Sequence, residues 1–240
     1  MSSFPSLYWK NHRGFTLVES LMAVTVMGLA AVGIIAFLRQ GMKMYYTDRA
    51  RTMINRDIRS FTTQMDTDAV TANMFVLYKD FNTRSSGSPA VDAALADGQA
   101  GDFLVLIYTD PAQTSNGVSM ITELVGYYRE VTNTTLNSGP VHRFDIKLTP
   151  ANYVDIKSAP MFTILNNLVT GSISSYPIVT QLAQGLAIST SGTPTVTPAL
   201  FYNFGNRSVM IDTQIAESLT ETGTTSQTGN TYNFTVSPRG

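Results

Sequence analysis

Glu19 is the one ionisable side chain in residues 15–38, the most apolar stretch of the chain, whereas residues 1–14 carry Lys10, His12 and Arg13. A carboxylate inside hydrocarbon costs about 2.5–3.5 kcal/mol on insertion scales, so it is retained for a partner or a task. That separates this segment from a plain anchor. The other residues able to do chemistry are sparse. Two histidines, His12 and His142, exclude a multi-histidine metal site. His142 sits in a β-patterned run without a nucleophile partner and reads as a hydrogen-bonded or solvent-facing residue, not a catalytic base. Asp66 and Asp68, and the group Asp92, Asp97 and Asp102, offer oxygen ligands but lack EF-hand spacing and its bidentate glutamate. Capping and loop solvation account for them.

No Gly-rich phosphate loop, HExxH motif or nucleophile elbow occurs. The chain has no cysteine, which removes thiolate chemistry and disulfides. The reading is therefore of a protein that is not an enzyme, with no cofactor and no metal site. Tyr127, Tyr128, Phe201, Tyr202 and Phe204 are aromatics in strand-like runs and are expected to pack a sheet.

Composition agrees. Of 240 residues, 43% are hydrophobic and 14% charged, below the ~25% charged of ordinary soluble domains, so Ser, Thr, Asn and Gln supply much of the polar surface. A net charge of −1 without a basic run argues against nucleic acid as a main partner. Length suits one domain plus an N-terminal appendage.

As a helix, residues 15–38 extend about 36 Å at ~1.5 Å per residue, enough to cross a hydrocarbon core of ~30 Å. An ordinary secretory signal, cut near Gly28-Leu29-Ala30-Ala31, would have an unusually long apolar region with an acid in it. The run Arg13-Gly14-Phe15-Thr16-Leu17-Val18-Glu19-Ser20-Leu21 closely resembles the type III signal of type IV pilins and of the pseudopilins of type II secretion. The resemblance implies cleavage after Gly14 by a prepilin peptidase/methyltransferase and N-methylation of Phe15. It also implies that Glu19, four residues along the same helical face, pairs with the N-terminal amine of a neighbouring subunit, which compensates a charge costly in lipid.

Orientation rests on the same resemblance, because Arg39, Lys43, Arg49 and Arg51 follow the span while Lys10 and Arg13 precede it, and the positive-inside rule does not decide. The implied place is the inner membrane, single-pass with a periplasmic head, then a pilus or pseudopilus fibre. The implied partners are other pilin or pseudopilin subunits, the inner-membrane assembly platform and membrane lipid. One departure is Ala36, where many pilins have a helix-kinking proline; Gly28, Gly33 and Gly41 are candidates to loosen the helix instead.

Past Leu38, Met42, Tyr46, Ala50, Ile54, Ile58, Phe61 and Met65 form one helical stripe, with Arg39, Lys43, Asp48, Arg49, Arg51, Arg56, Asp57 and Arg59 on the solvated side. The expected organisation is a leader over 1–14, a membrane or filament-core half-helix over 15–38, an amphipathic half-helix over 39–65, and a β-rich head over 66–240. Residues 82–102 read as a loop. Strands are expected at 103–109, 120–130, 141–148, 185–190, 199–204, 208–215 and 231–236, with a hairpin connection over 133–140 and a polar separator over 220–230. Residues 161–169 fit either a helix or a strand. The fold class is α+β, with a pilin-like long N-terminal helix packed by its second half on an antiparallel sheet. The head's order of motifs, with Val125-Gly126-Tyr127-Tyr128-Arg129 and Val141-His142-Arg143, resembles larger minor pilins and J-type or W-type pseudopilins. A membrane-anchored periplasmic binding or sensory domain is the alternative.

Overall fold

The computed structural model describes residues 16–81, 94–115, 117–132, 137–159, 161–169, 175–185, 199–221 and 224–239. Helix α1 runs Leu17–Thr71. No proline falls between Pro5 and Pro89, so every residue of α1 keeps the amide that the i to i−4 ladder requires. The helix ends past Met65, where Ala72 still donates to Asp68 O at 3.1 Å while Asn73 N turns to Ile107 O at 3.0 Å. The Asn73 side chain accepts from Thr109 N at 2.7 Å, which hands the chain from helix to sheet.

The chain divides into two compact units at Tyr46/Thr47. The first, over its described residues, is the apolar part of α1, with Leu17, Leu21, Leu29, Ile35, Phe37 and Leu38 among many exposed apolar side chains. This is a helix long and apolar enough to cross a membrane.

In the second unit, the helix buries Ala50, Ile54, Asp57, Phe61, Met65, Asp68 and Ala69, at spacings of three and four. The packed stripe begins at Ala50, since Met42 and Tyr46 are exposed. Two aspartates lie on it, contrary to the expectation that Asp57 joins the solvated side. Both carboxylates have polar partners from the sheet, so burial does not leave them orphaned.

Ten strands are present among the described residues, joined in one sheet. They are β1 (Met74–Tyr78), β2 (Ala100–Gly101), β3 (Phe103–Ser115), β4 (Val118–Arg129), β5 (Ser138–Lys147), β6 (Val154–Asp155), β7 (Ser175–Gly185), β8 (Phe201–Phe204), β9 (Ser208–Glu221) and β10 (Thr224–Val236). Every pairing is antiparallel. The order is β1-β3-β4-β5-β7-β9-β8-β2, with β10 also on β9 and β6 on β4. Its two ends meet, because Leu95 N donates to Leu77 O at 2.8 Å and Asp102 N to Lys79 O at 2.9 Å.

The sheet is buried on both faces. Leu104, Leu106, Val125, Tyr127, Val141, Val179 and Ile211 pack with Ile54, Phe61 and Met65 of α1. Phe103, Val105, Ile107, Ile121, Leu124 and Phe144 face the other way, onto Ile164 and Leu165. Those two residues belong to α2 (Met161–Val169), which settles the open choice for that segment as a helix. Burial on both sides explains why β3 begins as an unbroken apolar run rather than an alternating one.

Gly126 pairs with Phe144, and a Cβ there would meet the Phe144 ring at 2.0 Å, so the aromatic ring occupies the space over the glycine. At the start of β5, Asn137 takes a φ of 47°, a left-handed value that asparagine tolerates in a turn. The expected separator over 220–230 is mostly strand. Over its described residues it extends β9 and β10, which pair from Val209↔Val236 to Glu221↔Thr224. β1, β2, β6 and β7 were not expected as such. Residues 186–190, placed in a strand by sequence, and 133–136 of the connection lie outside the described residues.

Candidate functional site

Glu19 lies in the first turn of α1. Its Oε2 accepts from Thr16 N and from Thr16 Oγ1, both at 3.0 Å, while Glu19 N donates back to Thr16 Oγ1 at 3.3 Å. This reciprocal pair is a capping box, which satisfies amides that a helix start otherwise leaves bare. The sequence signal was available: Thr16, then Glu19, immediately before an apolar run. Gly14 and Phe15 lie outside the described residues, as does His12.

The second unit holds α1 by two buried carboxylates. Asp57 Oδ2 accepts from Thr180 N at 2.7 Å and from Thr180 Oγ1 at 2.8 Å, a bridge from α1 to β7. Asp68 accepts from Arg143 Nε at 2.8 Å, from Arg143 Nη2 at 3.2 Å and from Gln64 Nε2 at 3.1 Å, and its Oδ2 also takes the Tyr127 hydroxyl. Tyr108 donates its hydroxyl to Asp68 O at 2.7 Å, and Arg143 Nη1 reaches the Tyr176 hydroxyl at 3.1 Å. Burial would lower the Arg143 pKa, but hydrogen bonds to Asp68 and its charge outweigh burial and raise it. Burial, then the Asp68 charge, raises Tyr127. Tyr108 is pushed up to about 12, burial being the main cause. Tyr232 rises through burial and the charge of Asp57.

The remaining candidates serve the fold. Asp102 pairs with Arg129 and accepts from Leu200 N at 3.0 Å. Burial raises its carboxyl pKa, and Arg129 offsets part of that. Asp97 Oδ1 accepts from Gly205 N at 2.6 Å. These aspartates are thus tied to backbone and arginine partners, and Asp68 is engaged by a guanidinium where a cation would have to sit; Asp92 lies outside the described residues. Among the described residues no group of three or more His, Asp or Glu gathers in a way that suits a metal. His142 stacks on Tyr128 at 5.3 Å, with Nε2 3.1 Å from Glu130 Oε2. Tyr127 and Phe201 are core residues, whereas Phe204 is exposed.

A long N-terminal helix, packed on an antiparallel sheet by the part within the second unit, is an α+β arrangement consistent with a pilin-like fold. Residues 9–35 match the family model described as the prokaryotic N-terminal methylation motif, and the chain thus carries a prepilin signal of the type IV pilin and pseudopilin kind. No curated protein and no solved structure matches the chain.

Proposed function

We propose that the chain is a structural subunit, a minor pilin or pseudopilin, of a type IV pilus or type II secretion pseudopilus. In this reading residues 1–14 are a leader removed after Gly14 by a prepilin peptidase, which then methylates the Phe15 amine. Residues 15–38 hold the subunit in the inner membrane with the head, 66–240, in the periplasm, and residues 39–65 connect the two. An assembly platform then draws it into a fibre beside other pilin-like subunits and out of the lipid. Glu19 exchanges its box with Thr16 for the Phe15 amine of a neighbour. A head larger than a minimal pilin needs, with no disulfide, favours a minor subunit.

The observation that carries this reading is the coincidence of the methylation motif at 9–35 with a helix that is exposed and apolar from Leu17 to Leu38. Co-expression with a prepilin peptidase tests it: the mature chain is expected to begin at a methylated Phe15 by intact mass and N-terminal sequencing, and Gly14→Ala is expected to block the cut. An intact precursor overturns the proposal. Glu19→Ala is expected to be cleaved normally but to be missing from sheared fibres. Wild-type incorporation of that variant removes the pairing role.

A further inference from the structure

We propose that Arg39, Lys43 and Tyr46 form a docking face for the phosphate headgroups of an anionic phospholipid bilayer. The three stand at i, i+4 and i+7 on α1, within an arc of about 60° at 100° per residue, so they share one side of the helix. All three are exposed. Tyr45 lies next to this face, its ring edge-on to Tyr46 with centroids 5.9 Å apart. No acidic residue occurs between Glu19 and Asp48, so the stretch is purely cationic.

Position along the axis selects the occupant. Leu17–Leu38 extends about 33 Å, which fills a ~30 Å hydrocarbon core. Arg39 then falls at its boundary, Lys43 about 6 Å beyond and Tyr46 about 10 Å beyond, against a headgroup layer of roughly 5–7 Å. Side chains on a helix lean toward its N-terminus, so the tips of Lys43 and Tyr46 reach back toward the bilayer. Arginine and lysine supply charge-assisted donors for a phosphodiester, and the tyrosine hydroxyl, at the tip that reaches back, adds a neutral donor at the headgroup layer. The inference rests on residues 17–38 spanning the bilayer and not on fibre assembly.

Nanodiscs of equal phosphatidylglycerol and phosphatidylcholine holding the full chain provide the test, with retained lipids read by native mass spectrometry. The wild type is expected to enrich phosphatidylglycerol several-fold. Arg39→Gln and Lys43→Gln should each reduce the enrichment by up to about five-fold, and Arg39→Lys should keep it. Retained lipid matching the bulk ratio overturns the proposal, as does enrichment untouched by the double variant. Displacement of the lipid by millimolar inorganic phosphate also overturns it, since the face would then read a free ion. So does loss of the double variant from fibres without any lipid preference, because a neighbouring subunit would then be the occupant. Alkaline carbonate extraction separates the premises: a chain released from vesicles refutes the span, whereas a chain that stays without enrichment refutes the headgroup face alone.

Discussion

The guanidinium of Arg143 on β5 engages both carboxylate oxygens of Asp68 on α1, Nε to Oδ2 at 2.8 Å and Nη2 to Oδ1 at 3.2 Å. Both side chains are over nine-tenths buried, and the Tyr127 hydroxyl completes the carboxylate's shell. Removing one member of a buried ion pair strands the other charge, at about 3–5 kcal/mol. Asp68→Ala is therefore expected to destabilise the full chain by that amount in chemical denaturation followed by near-UV circular dichroism. Asp68→Leu combined with Arg143→Met should lose less than Asp68→Ala alone. A single substitution that costs under 1 kcal/mol would show the pair to be idle.

Gly126 and Phe144 make a second coupled pair, this one apolar. A methyl group at 126 collides with the Phe144 ring, and overpacking of this kind costs about 1–3 kcal/mol. Gly126→Ala should shift the denaturation midpoint accordingly, and Phe144→Leu should restore part of the loss in the double variant. Additive effects of the two substitutions would contradict direct contact.

Alkaline pH should unfold the second unit early. A phenol whose folded pKa lies above its unfolded value near 10 keeps its proton in the folded chain while the unfolded chain gives it up. Its stabilising contribution is complete below pH 10 and is lost as pH rises through the folded value. Tyr108, near 12, and Tyr127 and Tyr232, raised further, all carry this sign. Stability is expected to fall between pH 10 and 12 by up to about 1.4 kcal/mol per pH unit for each well-buried phenol. Tyr232→Phe should flatten the slope, as measured by denaturant titrations at successive pH values; an unchanged slope removes Tyr232 from the account.

At the start of α1, Thr16→Val keeps the β-branched shape and removes the hydroxyl that bonds Glu19 twice. Loss of an N-cap is worth about 1 kcal/mol, equivalent to roughly five-fold faster local amide exchange. Hydrogen–deuterium exchange of the full chain in detergent should show that acceleration over the first turn and none near Phe61.

Periodicity and charge contrast carried much of this architecture. An acid alone in an apolar run singled out Glu19, and the spacing of Ala50, Ile54, Phe61 and Met65 marked the face that packs. The same rule hid Asp57 and Asp68, since counting apolar residues assigns every carboxylate to solvent; only Thr180 and Arg143, distant in sequence, reveal why burial is tolerated. The Thr-rich segment around 220–230 departs from its local pattern for a related reason. Gly and Asn there signal a break locally, whereas pairing with β9 is a tertiary gain. The Thr16 box is legible in the Thr-x-x-Glu spacing, a local motif that gives Glu19 a partner within its own turn.

The grip of the sheet on α1 has a mechanical side. Asp57 and Asp68 are eleven residues apart, about 16 Å along the axis, and each is tied to a different strand, β7 and β5. A pull directed along the helix loads both ties and the apolar stripe between them at the same moment, in shear, so none can be unzipped before the others bear force. Tension on this segment of α1 is thus shared across the sheet rather than concentrated at its edge.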